Sequence, residues 1–162
     1  MTGESQVGTP VCEGVVKPEW IDLNGHMNVA YYVLAFDHAS DALFEFLGMG
    51  ESYRSDTGDS NFAIEGHITY DRELKVGDPM RFTSQLLDYD RKRVHYVNCM
   101  YHASEGYLAS TNELITVHVN LGSRRSSPMP DNVQARLEHV MQGHRTLPVP
   151  PHVGRVIGIR RR

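Results

Sequence analysis

Asp22, Asn24 and His26 stand at alternating positions, three side chains of different chemistry, with Asn28 and Tyr31 following. Gly25 sits among them, where a residue without Cβ lets the backbone turn tightly or approach a ligand. The stretch ends where a helical pattern begins. It therefore lies beside unpaired helix N–H groups and the positive end of a helix dipole. Cleavage of a thioester needs such parts. Negative charge grows on the carbonyl oxygen and calls for preorganised donors. Water must be activated, or the carbonyl attacked directly, and a carboxylate can do either. An amide or imidazole must hold the reacting groups in line. Asp22 is thus the candidate base or nucleophile, and Asn24 the candidate positioner of water or the acyl carbonyl. His26 is the candidate hydrogen-bond donor or proton carrier. The same residues also spell an ordinary capped turn, since Asp-x-Asn-Gly favours turns and Asn favours helix N-caps.

The element that positions this segment is a helix expected over 29–47. Val29, Val33, Phe36, Ser40, Leu43 and Leu47 recur at steps of four and three, with Tyr32, Ala35, Ala39, Ala42 and Phe46 as a second stripe. Asp37, His38, Asp41 and Glu45 fall on the remaining face. Asn28 suits the N-cap and Gly48 the C-terminal stop. So broad an apolar face predicts a helix that is wrapped rather than merely docked.

Around the helix the chain reads as strands. One is expected at 11–17, ended by Pro18. After a polar loop at 50–61 come strands at 62–72, 80–89, 93–103 and 107–120, separated by turns at Val76-Gly77-Asp78-Pro79, Asp90-Arg91-Lys92 and Ser104-Glu105-Gly106. A loop at 121–130 and a short surface helix at 133–144 follow. One long helix with one large antiparallel sheet is an α+β layer arrangement with the sheet curled round the helix, the order of the hotdog fold. Residues 1–10 are expected to be a tail, 11–145 the domain and 146–162 a surface extension. A single sheet on a single helix leaves an edge and an outer face open, so a homodimer or a dimer of dimers is expected.

The chain has 162 residues, a net charge of -4 and 40% hydrophobic residues, which suits one domain with a real core. That charge argues against general nucleic-acid binding. Arg155 and the terminal Arg160, Arg161 and Arg162 read as a solvated tail. Cys12 and Cys99 form neither a disulfide framework nor a metal-ligand spacing, so no metal is expected. With no apolar signal segment and no membrane-length run, a cytoplasmic protein is the expectation.

Several residues are candidates for choosing a substrate. Glu65 and His67 are expected on one strand face with Ala63 and Thr69, and Glu113 on a face with Ile115, Val117 and Val119. A carboxylate on an apolar face is costly unless paired or exposed. A cationic acyl group would give Glu65 and Glu113 a partner, with Tyr31, Tyr32 or Trp20 supplying aromatic faces. A sheet edge would explain the acids equally well. Lys92 and Arg93 are candidates for the phosphates of coenzyme A, or simply solvated charge on a hairpin.

The spacing Asp22-x-Asn24-x-His26-x-Asn28-x-x-Tyr31, before a long helix and four strands, resembles the acyl-CoA and acyl-carrier-protein thioesterases of the hotdog superfamily. It is similar to the Asp-x-Asn-x-His set of plant acyl-carrier-protein thioesterases. Asp22, three residues before Gly25, also falls where the 4-hydroxybenzoyl-CoA thioesterase group carries its catalytic Asp. Tyr70-Asp71-Arg72-Glu73-Leu74-Lys75-Val76-Gly77-Asp78 resembles the family's second-strand and turn pattern, although the family often has Pro where Glu73 stands. A narrower resemblance is to the betainyl-CoA thioesterases of carnitine breakdown. It is carried by Gly25 to Tyr32, Glu65-x-His67, Lys92-Arg93-Val94-His95 and the ending Gly154-Arg155-Val156-Ile157-Gly158-Ile159. These resemblances imply an acyl-CoA substrate, coenzyme A entering as part of it, and no separate cofactor. Gly25, Asn28 and Tyr31 would then touch the substrate. Two rivals are an enoyl-CoA hydratase of the same fold and an acyl-CoA-binding protein without catalysis. In the hydratase pattern Pro stands where Gly25 is, and the His comes one residue later than His26.

Overall fold

The computed structural model describes residues 8–159 and 161. Most of the expected tail, residues 1–7, and the terminal Arg160 and Arg162 lie outside these. The chain runs β1 (Thr9–Val15), a 3-10 turn (Pro18–Trp20), α1 (Val29–Phe46), α2 (Glu51–Thr57), β2 (Asp59–Tyr70), β3 (Pro79–Tyr89), β4 (Arg93–His102), β5 (Leu108–Asn120), β6 (Arg125–Ser126) and α3 (Asp131–His144). The strands form one antiparallel sheet in the order β1-β3-β4-β5-β2, with the short β6 beside β5. The sheet curls round α1. This is the α+β hotdog arrangement expected from the element order. Among the described residues no helix is long and apolar enough to cross a membrane.

Extra residues in the strands produce the curl. Register shifts fall at Val11 in β1, Ile64 in β2, Leu87 in β3 and Ala109 in β5. Each such bulge bends and twists its strand. On the concave side Phe36, Ala39, Met80, Phe82 and Met100 pack round the first half of α1. Leu43, Leu47, Leu86, Val94 and Leu137 pack round the second half. Helix and sheet are also tied by a buried polar chain. Ser84 Oγ donates to Asn98 Oδ1 at 2.6 Å, Asn98 Nδ2 donates to Ser40 Oγ at 3.0 Å, and Ser40 Oγ donates to the Phe36 carbonyl at 3.0 Å. Every member has a partner, so the network fixes one register of helix on sheet.

The structure departs from expectation in four places. The 50–61 segment is not all loop. It contains α2, a helix with no buried residue, closed by Gly58 at φ +72 and pinned by Tyr53 Oη donating to His118 Nε2 at 2.8 Å. With no apolar stripe it left no period to read. The last helix lies at the surface but buries more of itself than a docked surface turn would: Val133, Leu137, Val140, Met141 and His144 are all buried. At Thr9, where β1 begins, its His144 meets the edge of β3, Nδ1 accepting from Leu86 N–H at 2.8 Å and Nε2 donating to Thr9 Oγ1 at 2.8 Å. The 146–159 segment does not leave the convex face bare. Val153 packs on Val97, Cys99 and Tyr101 there, and Gly154 N–H donates to Glu113 Oε2 at 2.8 Å. Finally, Ala63 does not share a face with Glu65. The bulge at Ile64 pairs Ala63 with Thr116 and Glu65 with Ile115, placing them on opposite sides of the sheet.

Candidate functional site

The 22–28 loop is a compact turn held from three sides. Asp22 N–H donates to the His26 carbonyl at 3.1 Å and Gly25 N–H to the Asp22 carbonyl at 3.0 Å, with Gly25 at φ +79. Met27 is buried and its N–H donates to the Leu74 carbonyl at 2.8 Å, while Asn28 N–H donates to the Trp20 carbonyl at 2.9 Å. Trp20 stacks on Tyr31 with ring centroids 5.4 Å apart, so Tyr31 braces the loop from the first turn of α1.

The Asp22 carboxylate receives a donor on each oxygen. Asn24 N–H donates to Oδ1 at 2.8 Å and Asn28 Nδ2 to Oδ2 at 3.3 Å. Asn28 uses its other atom to cap the helix, Oδ1 accepting from Ala30 N–H at 3.0 Å. One side chain therefore joins the carboxylate to the start of α1. The side chain of Asn24 stands exposed beside them. His26 Nδ1 lies 3.3 Å from the Met27 carbonyl. That oxygen only accepts, so Nδ1 is the donor in this contact.

His26 also lines a cleft of about 160 Å³ with Val29, Tyr32, Tyr70, Asp71, Arg72 and Glu73. Tyr32 meets Tyr70 edge to face at 5.3 Å, and burial pushes the Tyr32 phenol up to about 12. The Arg72 guanidinium lies 3.6 Å from the Tyr107 ring, whose hydroxyl donates to the Glu73 carbonyl at 3.1 Å. Sequence reading matched 70–78 to a family pattern but did not bring Tyr70, Asp71 and Arg72 to His26. The approach of the end of β2 to the helix start is a tertiary contact with no local signal.

The other expected residues lie elsewhere in the single chain. Glu65, His67 and Glu113 point to the convex face, opposite the helix. Glu113 is already paired, its Oε1 2.8 Å from His95 Nε2 and its Oε2 on the Gly154 amide. One chain thus does not join these acids to Tyr31 or Tyr32 in a cation pocket. Lys92 and Arg93 sit at the β3–β4 hairpin, near the far end of α1, a helix about 27 Å long at 1.5 Å per residue. Arg93 is engaged locally, Nε and Nη2 donating to Asp90 Oδ2 at 2.8 and 2.6 Å. Among the described residues no group of three or more His, Cys, Asp or Glu could hold a metal ion.

A carboxylate fixed at a helix start, with an imidazole beside an open cleft, is equipped to take a proton from water next to a polarised carbonyl. Comparison with known proteins agrees with that chemistry. The model of the thioesterase-like superfamily matches residues 16–137. The chain belongs to the thioesterase-like superfamily. A betainyl-CoA thioesterase of Pseudomonas aeruginosa is 41% identical over 147 residues, 91% of this chain and 92% of that protein. An L-carnitine dehydrogenase/betainyl-CoA thioesterase of Rhizobium meliloti is 35% identical over 90% of this chain, a stretch equal to 29% of that protein. A Staphylococcus aureus protein solved in complex with CoA superposes with a TM-score of 0.87 at 29% identity, covering 97% of this chain and 99% of that one. A 1,4-dihydroxy-2-naphthoyl-CoA thioesterase of Synechocystis shares the fold at 15% identity, with a TM-score of 0.70 over 80% of this chain and 96% of that one. The enzyme is a hydrolase of acyl-CoA thioesters.

Proposed function

We propose that this thioesterase acts on betainyl-CoA as a homodimer, with Asp22 as general base, Asn24 and Asn28 as its positioners and His26 as proton acceptor in the cleft. The observation that carries the catalytic part is the Asp22 carboxylate, held on both oxygens at the mouth of α1. Asp22 takes a proton from water as the water oxygen bonds to the thioester carbon and the carbonyl pair moves onto oxygen. That pair returns, the C–S bond breaks, and the leaving thiolate takes the proton back from Asp22. The products are the free acid and coenzyme A, with no separate cofactor.

The acyl group is argued from the Pseudomonas aeruginosa relative, which aligns along nearly its whole length. The dimer is argued from exposed apolar surface. Val29, Val33 and Leu34 on α1, with Phe62, Ile64 and Tyr70 on β2, are all exposed in the single chain. β2 is a sheet-edge strand of 12 residues with no blunting Pro. Such an edge ordinarily pairs or is covered. The free cysteines Cys12 and Cys99 suit a reducing compartment, and we place the enzyme in the cytoplasm.

Thiol release from betainyl-, aromatic, short- and long-chain acyl-CoA tests the assignment, with betainyl-CoA expected to give the highest kcat/KM. Asp22→Asn should cut kcat about a hundredfold or more, as loss of a general base does. Wild-type-like turnover in a folded Asp22→Asn protein would remove Asp22 from the chemistry.

A further inference from the structure

The cleft beside His26 has one wall that lies past the end of its strand. β2 stops at Tyr70, and Asp71, Arg72 and Glu73 continue along the cleft from there. The Asp71 and Arg72 amides both donate to a single carbonyl, that of Ala109, at 2.9 and 3.1 Å. Side chains must fix the rest. Tyr107 holds the Glu73 carbonyl, and the Asp71 carboxylate is held on both oxygens. Its Oδ2 accepts from Thr69 Oγ1 at 3.0 Å, a neighbour on the same stretch of chain. Its Oδ1 lies 2.9 Å from Nε2 of His152, 81 positions later in the sequence. A carboxylate only accepts, so Nε2 is the donor.

His152 is itself firmly seated. Val153 packs on Val97, Cys99 and Tyr101, and Gly154 N–H donates to Glu113 Oε2, whose other oxygen lies 2.8 Å from His95 Nε2. Three consecutive residues of the C-terminal segment thus grip the sheet. Within that seat, His152 Nδ1 is buried with no hydrogen-bond partner among the described residues. A buried ring nitrogen without a partner costs free energy, a cost that an apolar ring in the same place would avoid. Packing therefore does not account for a histidine here, whereas the bond to Asp71 does.

We propose that His152 is a positioning residue of the active site: through Asp71 it fixes the Tyr70–Arg72 wall of the His26 cleft, against which the bound thioester rests. The C-terminal segment is then a working part of the enzyme and not a surface extension. This rests on the hydrolase reading and on the His26 cleft as the substrate's place. Asp22 takes its donors from Asn24 and Asn28, within its own loop, so a change at His152 leaves the base as it was. A wall that touches substrate equally in the ground and transition states contributes uniform binding, and its loss appears in KM with kcat little changed.

Two substitutions at one position separate the bond from the packing. His152→Phe keeps a ring in the seat and removes the N–H. His152→Gln gives up the ring and returns an N–H at similar reach. Thiol release is followed on betainyl-CoA, or on whichever acyl-CoA of the panel above wild type cleaves best. The Asp71 side chain is 33% exposed, so the bond is partly screened. His152→Phe should raise KM about fivefold, with kcat within about twofold of wild type. His152→Gln should keep a KM near wild type. Thermal stability should follow packing instead, with His152→Phe near wild type and His152→Gln lower. Asp71→Ala should raise KM at least as much, and adding His152→Phe to it should change nothing further, since both act through one contact. A wild-type KM in His152→Phe, an equal rise in His152→Gln, or effects that multiply in the double variant would overturn the proposal. If wild type releases thiol from no acyl-CoA, the hydrolase reading falls and this proposal with it.

Discussion

Asn28 performs two tasks with two atoms, and a pair of substitutions should separate them. Its Oδ1 caps α1 through Ala30 N–H and its Nδ2 holds Asp22 Oδ2 at 3.3 Å. Asn28→Ala removes both. Loss of an N-cap costs about 1 kcal/mol, which for a chain of this length lowers Tm by about 2–4 °C. Asn28→Asp keeps the capping oxygen, so Tm should stay close to wild type at neutral pH. It also sets a second carboxylate against Asp22. At about 4 Å, between the near-surface and bulk-water limits of screening, that repulsion is about 1–3 kcal/mol. At 1.36 kcal/mol per pH unit the acid limb of kcat/KM against pH should move up by about 1–2 units. The sign follows from charge, since a neighbouring anion favours the protonated, inactive form of the base. Calorimetry and a pH–rate profile on both variants provide the assay. The reasoning fails if Asn28→Asp shows a wild-type profile, or if it loses activity only in step with stability.

Other outcomes follow from particular contacts. His144 is held neutral by burial, and its folded value lies below the ordinary 6.5. The unfolded chain therefore takes up the proton first. The stability tied to His144 is complete above about pH 6.5 and is lost as pH falls through the folded value; urea midpoints at pH 7.5 and 5.5 should show a drop that His144→Gln reduces. Asn98→Ala strips partners from buried Ser84 and Ser40 and should cost about 2–4 kcal/mol in urea unfolding; a loss under about 1 kcal/mol would mean the buried network is not holding helix to sheet. Ile64, 56% exposed on the free edge, should tolerate Lys without loss of fold, yet Ile64→Lys should sediment as a monomer and lose turnover if the edge is the subunit contact.

Local patterns made the long helix, the five main strands and the Asn28 cap legible, because each is written in neighbouring residues. The rest depended on distant partners. α2 has a polar sequence and one tertiary anchor, Tyr53, so no periodicity announced it. The face occupied by Glu65 was readable only relative to its neighbours, and the Ile64 bulge reversed even that for Ala63. Asp22, Asn24 and His26 were visible as a motif, but not the hydrogen bonds that aim them.

The strand order has a consequence for how the enzyme acquires its active form. β3, β4 and β5 are consecutive in the chain and joined by short turns, so their pairing closes small loops. β1 reaches β3 only across α1 and β2, and β2 reaches β5 across two intervening strands, closures that cost more chain entropy. The 22–28 loop is tied to both late arrivals, through Leu74 after β2 and Trp20 after β1. The 22–28 loop is therefore among the last parts of the molecule to take shape. Trp20, the sole tryptophan, is buried against Tyr31 beside that loop, so its intrinsic fluorescence follows maturation of the 22–28 loop rather than collapse of the sheet.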